Sequence, residues 1–233
     1  MINKISVLIP AAGLGNRSKL SYPKSLYRVN RVPIIVRILK KISKYDKNPT
    51  IVINKKYQSL FDDALNSFNL KNAKYLFQNK PTGMGDAVLK FKKSNKFNST
   101  DNILLVWGDI PYISRKSINK LIFEHINKSN FMTILSLFTK RPYTLINKDD
   151  NDNVIEILES YKNKNNFKFG ERDIGVFIFK KTLLNFLENK SKNKEHNFLY
   201  VINKLYKKNY KIKSLSIASD KEAVSLNYIK DLY

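Results

Sequence analysis

Apolar residues occur along this chain in two patterns that alternate. Short apolar runs are too short for helices and predict buried β-strands. Longer segments place apolar residues every three or four positions with polar or basic residues between them, which predicts amphipathic helices. The first predicted strands are residues 5–9, 51–53, 73–77 and 103–106, and the first predicted helices are residues 33–44, 57–68 and 115–127.

This alternation favours a mainly parallel sheet, because neighbouring parallel strands need a crossover connection that is usually a helix. We therefore expect a three-layer α/β/α fold of the Rossmann-like kind, with a mixed, mainly parallel central sheet. Ligands are expected at the carboxyl ends of its strands. The later predicted elements are strands at residues 133–138, 154–158 and 212–217 and a helix at residues 198–206.

The acidic segment DDNDN at residues 149–153 has two interpretations. It is similar in composition to a calcium-binding loop, but it lacks the glycine and the terminal glutamate that such a loop requires. We predict a polar hairpin turn instead.

The length and composition of the chain limit the kind of protein and the kind of site that it can form. At 233 residues it has the size of one large α/β domain and can bury a core without cross-links. It contains no cysteine, which removes disulfides and thiolate nucleophiles, and its two histidines, His125 and His196, do not favour a histidine-based metal site. We predict one domain over residues 1–233.

The apolar runs also bear on membranes and targeting. None approaches the roughly 18 residues of a transmembrane helix, and Pro10 interrupts the first run before it could serve as a signal peptide. We expect a cytoplasmic protein with no membrane partner.

The formal net charge of +24 raises the alternative of a basic nucleic-acid-binding or regulatory module. The lysines are scattered through every segment and occur beside many asparagines, which is typical of a solvated surface. Both interpretations stay open on charge alone. A positive field would also steer nucleoside triphosphates and phosphorylated compounds toward a site.

The loop after the first predicted strand carries the densest candidate chemistry. The small residues of AAGLG, at positions 11–15, let an anionic ligand approach the backbone N–H groups directly. Arg17 supplies a planar donor fork that suits phosphate oxygens. Lys24 supplies a point charge on a segment that Pro23 stiffens. The loop therefore predicts a phosphate site.

Two common nucleotide motifs are not completed here, because Ser18 takes the third glycine position of a dinucleotide fingerprint and no Walker A sequence is present. The pattern that remains, a strand followed by AAGLGNR and then by Pro23-Lys24, resembles the N-terminal signature of the sugar-phosphate nucleotidylyltransferases (pyrophosphorylases). This resemblance implies a nucleotidyltransferase fold and a set of triphosphate-binding residues. They are Ala11, Ala12, Gly13, Leu14 and Gly15.

The same resemblance implies two catalytic cations. Arg17 would bind the departing pyrophosphate, and Lys24 would contact the α-phosphate and the acceptor phosphate. It also implies a nucleotide-binding half at residues 1–115 and an acceptor-binding half at residues 116–233. The chain resembles the uridylyltransferase domain of the N-acetylglucosamine-1-phosphate uridylyltransferases and the small cytidylyltransferases of capsule and phosphocholine pathways.

The stretch QNKPTGMGDAV, at residues 78–88, is a loop that enters a helix. It also resembles the family's base-reading loop, in which a glutamine and glycine backbone meet a pyrimidine. The resemblance implies that Gln78, Gly83 and Asp86 bind the nucleotide. Since a glutamine amide both donates and accepts, Gln78 suits the edge of uracil or cytosine, so we expect UTP or CTP.

Asp109 follows the apolar run at residues 103–106, and an acid at that place is either a turn former or a metal ligand. The sequence GDIP at residues 108–111 resembles the family's metal-binding motif, which implies that Asp109 binds Mg²⁺.

Near the C terminus, VSLNYIKDL resembles the family's terminal motif and implies that Asn227 is the second metal ligand. From the residue alone, a helix cap is the more frequent role of an asparagine at such a place. We expect Trp107 to serve packing.

The acceptor region departs from the uridylyltransferase pattern. Where those enzymes have N-T-G, this chain has Asp173-Ile174-Gly175, and Glu159 is the remaining acidic candidate. The resemblance implies that Glu159, Asp173 and Gly175 bind the acceptor, with Gly175 letting a ligand lie close to the backbone. A carboxylate at position 173 would suit an acceptor with an amine or several hydroxyls better than an acetamido sugar.

Together these motifs imply a Mg²⁺-dependent transfer of a pyrimidine nucleotide from CTP or UTP to a small phosphorylated acceptor, with release of pyrophosphate. The acceptor would be a sugar 1-phosphate or a non-sugar phosphate such as phosphocholine or the phosphorylated glutamine of capsule biosynthesis. We expect a single-activity enzyme without the hexapeptide-repeat domain of bifunctional relatives. No nucleic-acid partner is expected, and the oligomeric state is left open.

Overall fold

The computed structural model describes residues 4–13, 19–80, 82–160, 167–187 and 195–226. The helices are α1 (Ile34–Ile42), α2 (Gln58–Asn66), α3 (Met84–Leu89), α4 (Arg115–Asn127) and α5 (Tyr200–Tyr206). The strands are β1 (Ile5–Pro10), β2 (Arg28–Val29), β3 (Val32–Pro33), β4 (Thr50–Ile53), β5 (Lys74–Phe77), β6 (Asn102–Val106), β7 (Met132–Lys140), β8 (Thr144–Lys148), β9 (Val154–Glu159), β10 (Phe169–Lys180) and β11 (Ile212–Ser216).

Within the described residues, seven strands form the central sheet in the order β11-β7-β10-β6-β1-β4-β5. β1 pairs in parallel with both β4 and β6, and β4 pairs in parallel with β5. β10 runs antiparallel to its neighbours β6 and β7, while β11 is parallel to β7. The sheet is mixed and mainly parallel, which confirms the predicted fold class.

The core lies on both faces of this sheet. Along β1, Val7 and Ile9 belong to one apolar cluster and Leu8 to the other, as the alternation of side chains in a strand requires. Helices α1, α2 and α4 bury their apolar faces in the first cluster, and α3 and α5 bury theirs in the second. The result is the expected arrangement of helix, sheet and helix layers.

β8 and β9 form an antiparallel hairpin, and the predicted polar turn at residues 149–153 connects the two strands. The Oδ1 atom of Asp149 accepts hydrogen bonds from the backbone amides of Asn151 at 3.0 Å and Asn153 at 2.8 Å. These bonds close the turn, and the same hydrogen bonds outweigh the small effect of burial and lower the pKa of Asp149. The hairpin interpretation of this segment is confirmed.

β10 was not predicted as a strand. Its first half is polar and a bulge interrupts its pairing with β7 between Asp173 and Phe177, so it lacks the regular alternation of a half-buried strand. It nevertheless occupies the middle of the sheet, beside β6. The acceptor residues predicted at positions 173 and 175 therefore lie beside the carboxyl end of β6, which Asp109 follows.

Candidate active site

A cavity of about 470 Å³ opens at the carboxyl ends of β1 and β6. Its walls come from the loops after both strands, from the loop before α3 and from β10. The segment before α5 and the segment after β11 complete them. This is where a parallel sheet concentrates its ligand-binding loops. The predicted site residues that line it are Ala11, Ala12, Gly13, Lys24, Gln78, Gly83, Asp109, Glu159 and Asp173.

The first wall is the loop after β1, which is fixed to its neighbours by backbone bonds. The amide of Ala11 donates to the carbonyl oxygen of Val52 at 2.7 Å, and the amide of Gly108 donates to that of Pro10 at 3.2 Å. Gly13 faces open space as far as the described residues go, since a Cβ atom added there would meet none of their atoms within 4 Å. The predicted phosphate loop is thus open to a ligand at Gly13. Leu14, Gly15 and Arg17 lie outside the described residues.

Lys24 and Asp109 form an ion pair in this cavity, between the lysine Nζ and the carboxylate Oδ2. Lys24 begins a short 3₁₀-helix, Lys24–Leu26, directly after Pro23. Asp109 follows β6 and is 8% exposed. Its other oxygen, Oδ1, is buried and has no hydrogen-bond partner among the described residues. A buried carboxylate oxygen without a donor is costly, and a hard divalent cation is one group that can satisfy it.

The C-terminal segment comes to the same place. The amide of Leu226 donates to the carbonyl oxygen of Asp109 at 2.9 Å. Glu222 anchors this segment by accepting bonds from the amide of Ser114 at 2.9 Å and from the amide of Ser219 at 3.0 Å. Asn227 itself lies outside the described residues. Its role as a metal ligand stays a prediction, but the residue before it touches the backbone of Asp109.

The loop before α3 supports Gln78 in the cavity wall. The Nε2 atom of Gln78 donates to Thr82 Oγ1 at 3.2 Å and to the carbonyl oxygen of Gly83 at 3.0 Å. Gly83 has a φ of +105°, a conformation that L side chains rarely adopt. Asp86 borders a second depression that Gln78 and Thr82 also line, and its Oδ1 lies 3.1 Å from His196 Nδ1. Its contact with a nucleotide stays a prediction.

Asp173 is 4% exposed, and the protein already engages both of its oxygens. Oδ1 accepts from the hydroxyl of Thr144 at 2.7 Å, and Oδ2 accepts from the amide of Gly175 at 3.0 Å. Burial raises the pKa of the carboxyl, while these two bonds and the Arg172 charge oppose the rise. Glu159, at the end of β9, accepts from Asn197 Nδ2 at 2.5 Å.

Gly175 has a reason to be glycine that the sequence did not reveal. Its φ is +78°, and a Cβ atom there would lie 2.6 Å from the indole ring of Trp107. The amide of Trp107 also donates to the carbonyl oxygen of Gly175 at 2.9 Å. The indole ring therefore fills the space beside this glycine, and Trp107 packs as expected while also lining the cavity. A contact between Gly175 and an acceptor stays a prediction.

Arg172 is a cavity residue that sequence reasoning missed. Its Nη2 donates to the carbonyl oxygen of Ala223 at 2.6 Å, and its buried Nε has no hydrogen-bond partner among the described residues. Burial lowers the pKa of the guanidinium, although Asp173 and Asp220 act in the opposite direction. An isolated arginine gives no motif, and only the assignment of β10 as a strand could have placed it here.

Comparison with known proteins assigns the chain to a family. A sequence profile described as "Nucleotidyl transferase" matches residues 7–220. The chain therefore belongs to the nucleotidyl transferase family, a class of pyrophosphorylase-type enzymes. In the described part of the chain, no helix is both long and apolar enough to cross a membrane.

Among curated relatives, the bifunctional protein GlmU of Buchnera aphidicola subsp. Schizaphis graminum is 31% identical over 231 residues, which are 96% of this chain and 48% of the relative. GlmU of Caldicellulosiruptor saccharolyticus is 24% identical over 243 residues, covering 100% of this chain and 51% of the relative. The chain spans about half the length of these relatives.

Two solved structures share the fold. HddC from Yersinia pseudotuberculosis superposes with a TM-score of 0.72 at 18% identity, covering 97% of this chain and 95% of that one. The inositol-1-phosphate CTP transferase from T. maritima superposes with a TM-score of 0.73 at 15% identity, covering 93% and 86%. At these identities the likeness is one of fold.

Proposed function

We propose that this chain transfers the nucleotidyl group of a pyrimidine nucleoside triphosphate, CTP or UTP, to a small phosphorylated acceptor and releases pyrophosphate. The observation that carries the proposal is the ion pair of Lys24 and Asp109, which lies in the same cavity as Glu159 and Asp173. A lysine that can bind phosphate groups thus lines the same cavity as carboxylates that can bind the part of an acceptor beyond its phosphate.

In this reaction an oxygen of the acceptor phosphate forms a bond to the α-phosphorus of the triphosphate. The bond between that phosphorus and the bridging oxygen of the β-phosphate breaks, and pyrophosphate leaves with the electron pair. The attacking oxygen is already ionised, so no protein base is needed. The protein must align the two phosphates and offset their charge. We assign this work to Lys24 and Arg17, with the loop around Gly13 approaching the triphosphate through its backbone.

A divalent ion, Mg²⁺, fits this arrangement. The unpartnered Oδ1 atom of Asp109 is a hard oxygen ligand, and Asn227 would supply an amide oxygen. The described residues hold no cluster of three or more histidine and acidic side chains that could bind a metal by themselves. When bound between protein and phosphates, the ion would neutralise charge that develops on the phosphate oxygens.

The nature of the base and of the acceptor is proposed from resemblance and chemistry together. Gln78 and Gly83 support a pyrimidine, because they occupy the cavity wall in a loop that resembles the family's base-reading loop. For the acceptor we retain a sugar 1-phosphate, phosphocholine or phosphorylated glutamine. A positively charged acceptor group near Asp173 would favour the ionised carboxylate, whose formation burial disfavours.

The test is to incubate the protein with each of the four nucleoside triphosphates, Mg²⁺ and a panel of sugar, choline and amino-acid phosphates, and to measure pyrophosphate release. We expect release with CTP or UTP and one class of acceptor. Absence of release with every pyrimidine triphosphate, or equal release with purines, would overturn the proposal. A basic nucleic-acid-binding module does not require the pairing of Lys24 with Asp109, and its support is the net charge of +24.

The acceptor class is tested by Asp173→Asn. If the carboxylate meets an amine, the variant should lose turnover with amine-bearing phosphates and keep it with neutral sugar phosphates. Equal activity of the variant on both sets would remove this role of Asp173. Thr144→Val, which removes the hydroxyl that donates to Asp173 but keeps the charge, is the matched control.

A further inference from the structure

The segment of residues 195–197 docks against the loop before α3 through its backbone. The amide of His196 donates to the carbonyl oxygen of Thr82 at 3.0 Å, and the amide of Gly85 donates to the carbonyl oxygen of His196 at 2.7 Å. Residue 196 is thus paired with the loop in both directions, as in a short β-ladder. This loop is the one that holds Gln78 in the cavity wall.

His196 crowds both glycines of that loop, Gly85 through its side chain and Gly83 through its backbone. A Cβ atom at Gly85 would lie 2.6 Å from the imidazole ring, and one at Gly83 would lie 2.6 Å from the His196 backbone. The ring then reaches Asp86, with Nδ1 at 3.1 Å from the carboxylate. Such close approach leaves no room for a side chain at either position. The glycines are therefore required by His196, whatever contact they also make with a nucleotide.

The next residue continues the connection into the acceptor side of the cavity. Asn197 donates through Nδ2 to Glu159 Oε2 at 2.5 Å, and Glu195 lines the cavity. A continuous path of contacts therefore runs from Gln78 through Gly83 and His196 to Glu159. It joins the loop before α3 to Glu159 through two consecutive residues of the chain, His196 and Asn197.

We propose that His196 is a positioning residue that holds the nucleotide-side loop in register with the acceptor-side carboxylate Glu159. The proposal deepens the proposed function and rests on it, since it assigns no new chemistry. In this role, the imidazole ring fixes Gly85 and Asp86, the loop in turn fixes Gln78, and nucleotide affinity depends on the ring. The role belongs to the side chain, because the two backbone bonds do not require a particular side chain at position 196.

The test compares wild type with His196→Ala, with His196→Asn, which keeps a donor near the position of Nδ1, and with Lys204→Ala, an exposed residue of α5, as control. Amide hydrogen exchange at Gly83 and Gly85 is measured without ligand. The Kd of each of CTP and UTP with Mg²⁺ and the steady-state KM and kcat follow. We expect His196→Ala to speed exchange and to raise Kd and KM for the triphosphate about tenfold, which corresponds to about 1.4 kcal/mol, with a smaller change in kcat. His196→Asn should recover most of the loss, and the control should match wild type.

Unchanged exchange at Gly83 and Gly85 in His196→Ala would overturn the proposal, and so would faster exchange with wild-type triphosphate affinity. A lower unfolding temperature without a change in Kd would likewise leave His196 with only a structural role. A wild-type protein that binds neither triphosphate would overturn the proposed function and, with it, this role. The two failures are distinguishable, because only failure of the His196 role leaves wild-type binding intact.

Discussion

The backbone amide of Leu226 donates a hydrogen bond to the carbonyl oxygen of Asp109 at 2.9 Å. Two segments more than a hundred positions apart in sequence are thus joined at the backbone of the residue whose carboxylate meets Lys24. The C-terminal segment is therefore part of the cavity, as the presence of Ala223 and Ser225 among its lining residues also shows. Changes in this segment should affect the site even though they lie far from the phosphate loop in sequence.

Removing either charge of the central ion pair should abolish most of the proposed activity. We expect Lys24→Ala and Asp109→Ala each to lower turnover by about 10²-fold or more, the scale for losing one preorganised electrostatic contact. The same loss is predicted for Arg17→Ala. Turnover is measured by pyrophosphate release at saturating triphosphate, with Lys47→Ala, an exposed lysine, as control. An Asp109→Ala enzyme that works at the wild-type rate would contradict the metal role.

Substitution of two glycines of the site by alanine should affect different properties, namely stability at Gly175 and triphosphate binding at Gly13. Gly175→Ala places a methyl group against the Trp107 indole ring at a φ of +78°, so we expect a loss of roughly 2–4 kcal/mol in the free energy of unfolding. Gly13→Ala meets no atom of the described residues, so its stability should stay within about 0.5 kcal/mol of wild type. If the loop approaches a triphosphate, Gly13→Ala should instead weaken triphosphate binding about tenfold.

Denaturant unfolding and triphosphate titration of both variants check this pair. Each glycine serves as the control for the other, because the substitution is the same. A Gly13→Ala protein that is fully stable and binds triphosphate as wild type does would show that the ligand does not approach this loop.

Glu222 should influence the metal site through the C-terminal segment. Its carboxylate accepts bonds from the amides of Ser114 and Ser219, and these bonds outweigh burial and lower its pKa. We expect Glu222→Ala to raise the Mg²⁺ concentration for half-maximal turnover about tenfold, because residues 223–226 lose their anchor. Lys208→Ala, a change at an exposed residue outside this segment, is the control. An unchanged Mg²⁺ dependence would separate this segment from metal binding.

His125 should make the fold sensitive to acid. It is 1% exposed, and its ring nitrogens lie 3.0 Å from Thr133 Oγ1 and from Asn102 Oδ1. Since an amide oxygen only accepts, Nε2 carries the proton and Nδ1 accepts from the threonine hydroxyl. Burial, aided by the charge of Lys180, lowers the pKa of His125 from 6.5 to about 4.

As the pH falls, His125 therefore becomes protonated at a higher pH in the unfolded chain than in the folded protein. The contribution of His125 to stability is complete above pH 6.5 and is lost as the pH falls toward 4, and it amounts to about 3 kcal/mol. Unfolding free energies of wild type and His125→Gln, measured from pH 7 to 4.5, should converge on the acid side. A constant difference between the two proteins over this range would contradict the lowered pKa.

The elements with regular periodicity could be predicted from the sequence. Helix α4 has the predicted ends, because Ser114 caps it by accepting from the amide of Ser117 and its apolar positions recur at helical spacing. The meeting of Lys24 and Asp109 could also be anticipated, since loops after neighbouring parallel strands converge at one edge of a sheet.

The contacts that were missed depend on distant parts of the chain. The strand β10 follows from its pairing with β6 and β7 rather than from its own pattern, and Arg172 reaches the cavity only through that pairing. The ring of His196 meets Asp86, which is 110 positions away. Local propensity contains no information about either contact. The sequence alone could therefore suggest the chemistry of the site, but not the contacts that hold its residues in place.

The antiparallel placement of β10 between β6 and β7 also matters during synthesis. The strands β5, β4, β1 and β6 can pair as soon as residue 106 has left the ribosome, but one edge of β6 then stays without a partner until residues 169–180 follow. An apolar strand with an open edge recruits other chains. The newly made N-terminal half should therefore be prone to aggregate unless a chaperone covers β6 or β10 arrives promptly.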